Sequence, residues 1–137
     1  AGDCGAATAG DCGAATAGYR GAATAGNYGA ATAGYRGAAT AGDSGAATAG
    51  DSGAATAGYR GAATSKGKSK VGINGLAVAR GNNVKVKGGI GSILVIAEEN
   101  ATDYDIADWK AVVVDGEKIK ADTWYCLKGG ELCEVAE

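Results

Sequence analysis

Eight tandem copies of one octapeptide, A-G-x-x-G-A-A-T, fill residues 1–64. Six positions of each octad never change; only the central pair does. The pairs run Asp3-Cys4, Asp11-Cys12, Tyr19-Arg20, Asn27-Tyr28, Tyr35-Arg36, Asp43-Ser44, Asp51-Ser52 and Tyr59-Arg60. A fixed short period implies a solenoid, in which each unit buries its face only against its neighbours. A disordered low-complexity chain is the alternative, because ordering costs about 1–2 kcal/mol per backbone residue and Ala buries little area.

The octad divides into a G-x-x-G turn and an A-A-T-A strand. Glycine reaches positive φ without penalty, so the turn glycines are expected to supply that conformation. A helix is disfavoured, since two glycines per octad cost about 2 kcal/mol relative to Ala. Two strands and two turns do not fit in eight residues. Three octads would enclose a void lined only by Ala. Two octads give a sixteen-residue coil with opposed sheets, closer than the usual spacing of about 10 Å.

Strand alternation then assigns faces. A buried hydroxyl needs a partner, so the all-Ala face is expected inside and Thr outside. Thr8, Thr24, Thr40 and Thr56 would form one outward column, and Thr16, Thr32, Thr48 and Thr64 a second on the other sheet. The reverse orientation, with a buried Thr ladder, stays open. The same register sets Tyr19 beside Tyr35 and Arg20 beside Arg36 on one edge, and puts Tyr59-Arg60 on the other.

Residues 65–100 read as degenerate coils that become a cap. Gly72-Ile73-Asn74-Gly75 restores the turn motif, and strands are expected from 76, 84 and 93. Their side chains grow from Ala to Val, Leu and Ile, as a capping unit requires. Residues 98–109 are acidic and read as a loop or short helical turn. Residues 101–137 form a small antiparallel unit expected to pack on the cap, with hairpins at Asp115-Gly116 and Gly129-Gly130. Trp109, Trp124 and Tyr125 are its bulky contact groups. The predicted fold is thus all-β: a two-sheet β-solenoid with a C-terminal β cap and meander.

Net charge is −1 over 1–64, +4 over 65–100 and −5 over 101–137, giving −2 for the chain. The basic collar and acidic terminal unit are expected to dock on each other.

The array, followed by V-G-I-N-G-L-A-V-A-R-G-N-N-V-K-V-K-G-G-I-G and D-W-K-A-V-V-V-D-G-E-K-I-K-A-D-T-W-Y, resembles bacterial and phage-associated octapeptide-repeat proteins. The resemblance covers essentially the whole chain, with 71–125 its specific part. It implies a β-solenoid C-terminal region that follows an upstream domain. It carries no activity and no functional residues.

With no His, a Ser-His-Asp triad and His-ligated metals are excluded. The chain also lacks Met, as expected of a piece or a processed product. No nucleophile–base pair is visible, so no catalytic residues, cofactor or metal are expected. Asp3, Asp11, Asp43 and Asp51 supply at most one carboxylate per octad, too few for the six to eight oxygens of a calcium site. Cys4 and Cys12 fall on opposite edges and are expected as free thiols. Cys126 and Cys133 flank the second hairpin directly opposite each other, where a disulfide depends on local geometry.

The expected function is a non-enzymatic rigid spacer or tail segment. Homo-oligomers through solenoid stacking or edge pairing are expected, with no nucleic acid and no membrane partner. The alternative is a surface binder for ice or glycan, using the Thr columns or the Tyr19-Arg20, Tyr35-Arg36 and Tyr59-Arg60 edges.

Overall fold

A computed structural model describes residues 5–81, 84–99, 106–128 and 131–135. Among them there is no helix, and the strands stack as a β-solenoid of about six turns with about 16 residues each. In chain order the strands are β1 (Ala6–Thr8), β2 (Ala14–Ala17), β3 (Ala22–Ala25), β4 (Ala30–Ala33), β5 (Ala38–Ala41) and β6 (Ala46–Ala57). They continue as β7 (Ala62–Lys70), β8 (Leu76–Gly81), β9 (Lys85–Lys87), β10 (Ile93–Glu99), β11 (Ile106–Val113), β12 (Trp124–Lys128) and β13 (Glu131–Val135).

Every repeat strand pairs in parallel with the one sixteen residues on, as in Ala22↔Ala38 and Thr24↔Thr40 or Ala30↔Ala46 and Thr32↔Thr48. One face carries β1, β3, β5 and the second half of β6. The other carries β2, β4 and the first half of β6. Strands β6 and β7 run unbroken around one edge and join the two faces.

The alternation is strict. In β3, Ala23 and Ala25 are buried while Ala22 and Thr24 are exposed, and the pattern recurs in β2, β4 and β5. Ala is therefore inside and Thr outside, which settles the orientation left open by the sequence. An Ala methyl contributes only about 0.8 kcal/mol on burial, against roughly 1.5–3 kcal/mol for a Leu, Ile or Val. The core thickens where the repeat ends: the inward column Ala15, Ala31, Ala47, Ala63, Ala77 leads to Leu94. Val71, Val84, Val86, Leu94 and Ile96 are fully buried there.

The turns differ from expectation. The residue with positive φ is the second of the variable pair, at +61° in Cys12, +55° in Arg20, +57° in Arg36 and +56° in Ser44. Each turn closes between its two glycines, for example Gly37 N–H to the Gly34 carbonyl at 3.0 Å. Positive φ at the third of four residues is the signature of a type II turn. The glycines serve space instead. A Cβ on Gly37 would stand 2.8 Å from Ala33 Cβ and 2.8 Å from the Gly21 carbonyl oxygen. Glycine is therefore required because successive coils and the two sheet faces meet there.

The terminal region extends both faces. Strand β11 pairs antiparallel with β10. Strand β12 pairs with β9 on the other face and with β13. The expected hairpin at Asp115-Gly116 is not formed: β11 stays an edge strand beside β10, and the returning chain crosses to the other face, where β12 pairs with β9 and β13. Asp115 instead accepts N–H bonds from Glu117 (2.9 Å) and Ile119 (3.1 Å). These bonds hold its carboxyl below the usual carboxylate range. The stability they lend is present above the ordinary pKa and is lost as pH falls through the depressed one. Within 98–109, β10 reaches Glu99 and β11 starts at Ile106, so strand replaces much of the expected loop. Trp124 and Tyr125 are buried, but Trp109 is 68% exposed on the outward face of β11. Lys68 and Lys87 lie over the Trp124 ring at 5.9 and 5.6 Å, so the lysine-rich strands meet the terminal unit through cation–π contacts and strand pairing.

The turn geometry predicts opposite signs for two substitutions in denaturant melts. Gly37→Ala overpacks and lowers stability by about 1–3 kcal/mol. Ser44→Gly relieves a left-handed residue and is neutral or stabilising by up to about 1 kcal/mol.

Candidate functional site

The two edges of the solenoid hold successive coils together by different chemistry. On one edge the first variable residue is Asp or Asn in three consecutive described coils. Asp11 Oδ1 accepts from Asn27 N–H at 3.0 Å, Asn27 Oδ1 from Asp43 N–H at 3.0 Å, and Asp43 Oδ1 from Tyr59 N–H at 3.1 Å. These turn Asp and Asn side chains thus have a structural role, tying each coil to the next. The backbone adds a parallel ladder, with Tyr28 N–H to the Asp43 carbonyl at 2.9 Å and Ser44 N–H to the Tyr59 carbonyl at 2.8 Å.

On the opposite edge the position is aromatic in two successive coils, at Tyr19 and Tyr35, and Asp51 in the next. Tyr19 and Tyr35 stack with centroids 5.2 Å apart and planes 12° from parallel, as the register predicts. Arg20 lies 5.8 Å from the Tyr19 ring centre, and Arg20 and Arg36 are both exposed. Tyr59 and Arg60 are exposed on the Asp/Asn edge, away from this stack. The Thr columns are unbroken: Thr8↔Thr24↔Thr40↔Thr56 on one face and Thr16↔Thr32↔Thr48↔Thr64 on the other.

The Tyr edge ends in a recess with a clear origin. Between Gly58 and Gly72 the motif spacing is fourteen residues, two short of the repeat. The missing two come from one turn: Asp51 pairs with Lys66 and Ala54 with Lys68, so Lys66-Gly67 replaces a full four-residue turn. The shortened corner needs polar support inside. Ser65 and Ser69 take up inward positions in the core, with their hydroxyls 2.9 Å apart. Ser65 Oγ donates to the Lys68 carbonyl (2.8 Å) and accepts from Gly67 N–H (3.2 Å), and Ser69 Oγ donates to the Val78 carbonyl (2.6 Å).

Outside that corner lies an open groove of about 690 Å³, lined by Tyr35, Asp51, Lys66, Arg80 and Glu99 among others. Lys66 pairs with Asp51 at 3.6 Å, and Arg80 Nε with Glu99. The Glu99 side chain is only 9% exposed, whereas that of Arg80 is 49% exposed. Of these residues, the sequence reading singled out only Tyr35 as a candidate binding residue. Lys66, Arg80 and Glu99 were missed as such, although the fourteen-residue spacing was a readable sign that one turn had been cut.

Cys126 and Cys133 are direct cross-strand partners, and both are free thiols, Cys126 buried and Cys133 half-buried. Cys12 is a free, exposed thiol. Asp3 and Cys4 lie outside the described residues.

The site's class is thus a repeat surface with a polar recess on a β-solenoid. No family model matches the chain, and no curated protein or solved structure matches it. The functional reading therefore rests on geometry.

The Asp/Asn ladder predicts that Asp43→Ala costs about 0.5–1.5 kcal/mol, the net worth of one hydrogen bond. Amide exchange should accelerate at Tyr59 more than at Arg36 on the far edge.

Proposed function

We propose that the chain is a non-enzymatic structural module: a rigid spacer whose length is set by its number of coils. The supporting observation is the constancy of register. Each coil from Ala6 to Ala57 meets its neighbours through the same pairs, so coils are interchangeable units. A unit can be added or removed without altering the contacts of those beyond it. Stability is then a sum of coil terms and nearest-neighbour terms, which suits variation in length. The C-terminal cap supplies the larger apolar burial that the Ala coils lack.

Insertion of four further coils, as eight more octads before Ala57, tests this. The particle should lengthen by about 19 Å at ~4.8 Å per coil, with the cap's tertiary signals unchanged. Insertion of four residues should unfold the array, because it sets glycines against strand positions. Scattering that shows an expanded coil for the sixteen-residue multiples would contradict the spacer reading.

The outward Thr columns support a second reading, surface binding of ice by a regular hydroxyl–methyl face. Ice shaping by the unmodified chain that is abolished in Thr24→Tyr/Thr40→Tyr would favour it. Unshaped growth with the unmodified chain would remove it.

A further inference from the structure

The recess on the Tyr edge has properties that a spacer does not need. A spacer of the same length would exist with a full turn at residues 66–67. The shortened turn is accompanied by the buried serines Ser65 and Ser69, and a groove lies outside it where the Tyr edge ends.

The groove has three parts. The first is an aromatic wall. Tyr35 is 45% exposed, with one face stacked on Tyr19. One coil further on, the same position is Asp51, too short to cover the other face, and Tyr35 lines the groove there. The second is a pair of acceptors, the carboxylates of Asp51 and Glu99. The third is a pair of donors, the Lys66 ammonium and the Arg80 guanidinium, the latter held against the nearly buried Glu99. Arg80 engages Glu99 through Nε, and its terminal N–H groups have no further partner among the described residues. A guanidinium carries five N–H donors, so a planar fork remains for a ligand.

The charge balance selects the ligand. Two acids and two bases line the groove, with each acid paired to a base. A polyanion would meet Asp51 and Glu99, and a cation would meet Lys66 and Arg80. A neutral polyhydroxylated ring can use both, since each hydroxyl donates one hydrogen bond and accepts others. Its C–H face suits an aromatic wall. We propose that this groove is a binding site for a neutral glycan, with one pyranose ring against Tyr35. Arg80 and Asp51 bond its hydroxyls, and Lys66 and Glu99 hold those two side chains in place. The chain would then be a spacer that carries a sugar-binding notch near its cap. The spacer role itself does not depend on the notch.

The test is an NMR titration of the full chain with neutral hexasaccharides of glucose, mannose and N-acetylglucosamine. A sulfated hexasaccharide and oligo-dT serve as charged comparators. Saturable shifts at Tyr35, Lys66 and Arg80 with at least one neutral probe are expected. Affinity should fall at least tenfold in Arg80→Gln and in Tyr35→Ala, and stay unchanged in Tyr59→Ala on the other edge. Because Tyr35→Ala also removes a stack, a further variant keeps that residue and restores the full turn, with Gly-Asp-Ser-Gly in place of Lys66-Gly67. It should retain its cap signals and lose binding. Absence of saturable shifts with every neutral probe would overturn the proposal. So would tighter binding of either charged probe, or shifts confined to the Thr faces.

Discussion

The close approach of backbone to backbone governs this molecule. Each coil is closed by Ala and Gly, the two residues that let sheets and successive turns come nearer than side chains normally allow. Gly37 faces Ala33 Cβ and the Gly21 carbonyl at distances that admit no Cβ. Such a core offers little apolar area, so backbone ladders and edge contacts must carry the cohesion. This explains why the edges are so well furnished, with Asp and Asn side chains capping the next coil on one side and a tyrosine stack on the other. It also explains why Val, Leu and Ile appear only where the repeat gives way to the cap.

Much of this can be read from the period. Sixteen residues per coil, Ala inward, Thr outward, Tyr19 on Tyr35 and strands near 76, 84 and 93 all follow from spacing and strand parity. The features that escape are those decided between coils rather than along the chain. G-x-x-G suggests glycine as the left-handed residue, yet Arg36 and Ser44 take that conformation because the glycines are held by contacts from neighbouring coils. The Asp11–Asn27–Asp43 ladder depends on backbone N–H groups sixteen residues away. Asp115-Gly116 has good local hairpin chemistry, but the returning chain pairs as β12 with β9 and β13 on the other face.

The candidate site was legible only in part. Tyr35 is visible as an exposed edge residue, but Asp51, Lys66, Arg80 and Glu99 come from four separate segments. The shortened turn sets Lys66 beside Asp51, and the pairing of β8 with β10 sets Arg80 beside Glu99. A departure from an otherwise perfect repeat therefore carries more functional information than the repeat itself. Regularity supports the spacer, and the shortened corner at Lys66-Gly67 supports recognition.

The central claim is closure at sixteen residues with Thr columns on opposite faces. Pyrene excimer fluorescence tests it directly, with the native cysteines replaced by Ser and labels at paired Thr→Cys sites. Labels at 24 and 40 share a column and should sit about 4.8 Å apart along the stack, giving strong excimer emission. Labels at 24 and 32 lie on opposite faces and should give little. In a flexible chain the shorter separation makes the easier loop, so the 24–32 pair would give the stronger signal. That inverted order would contradict the solenoid and everything built on it.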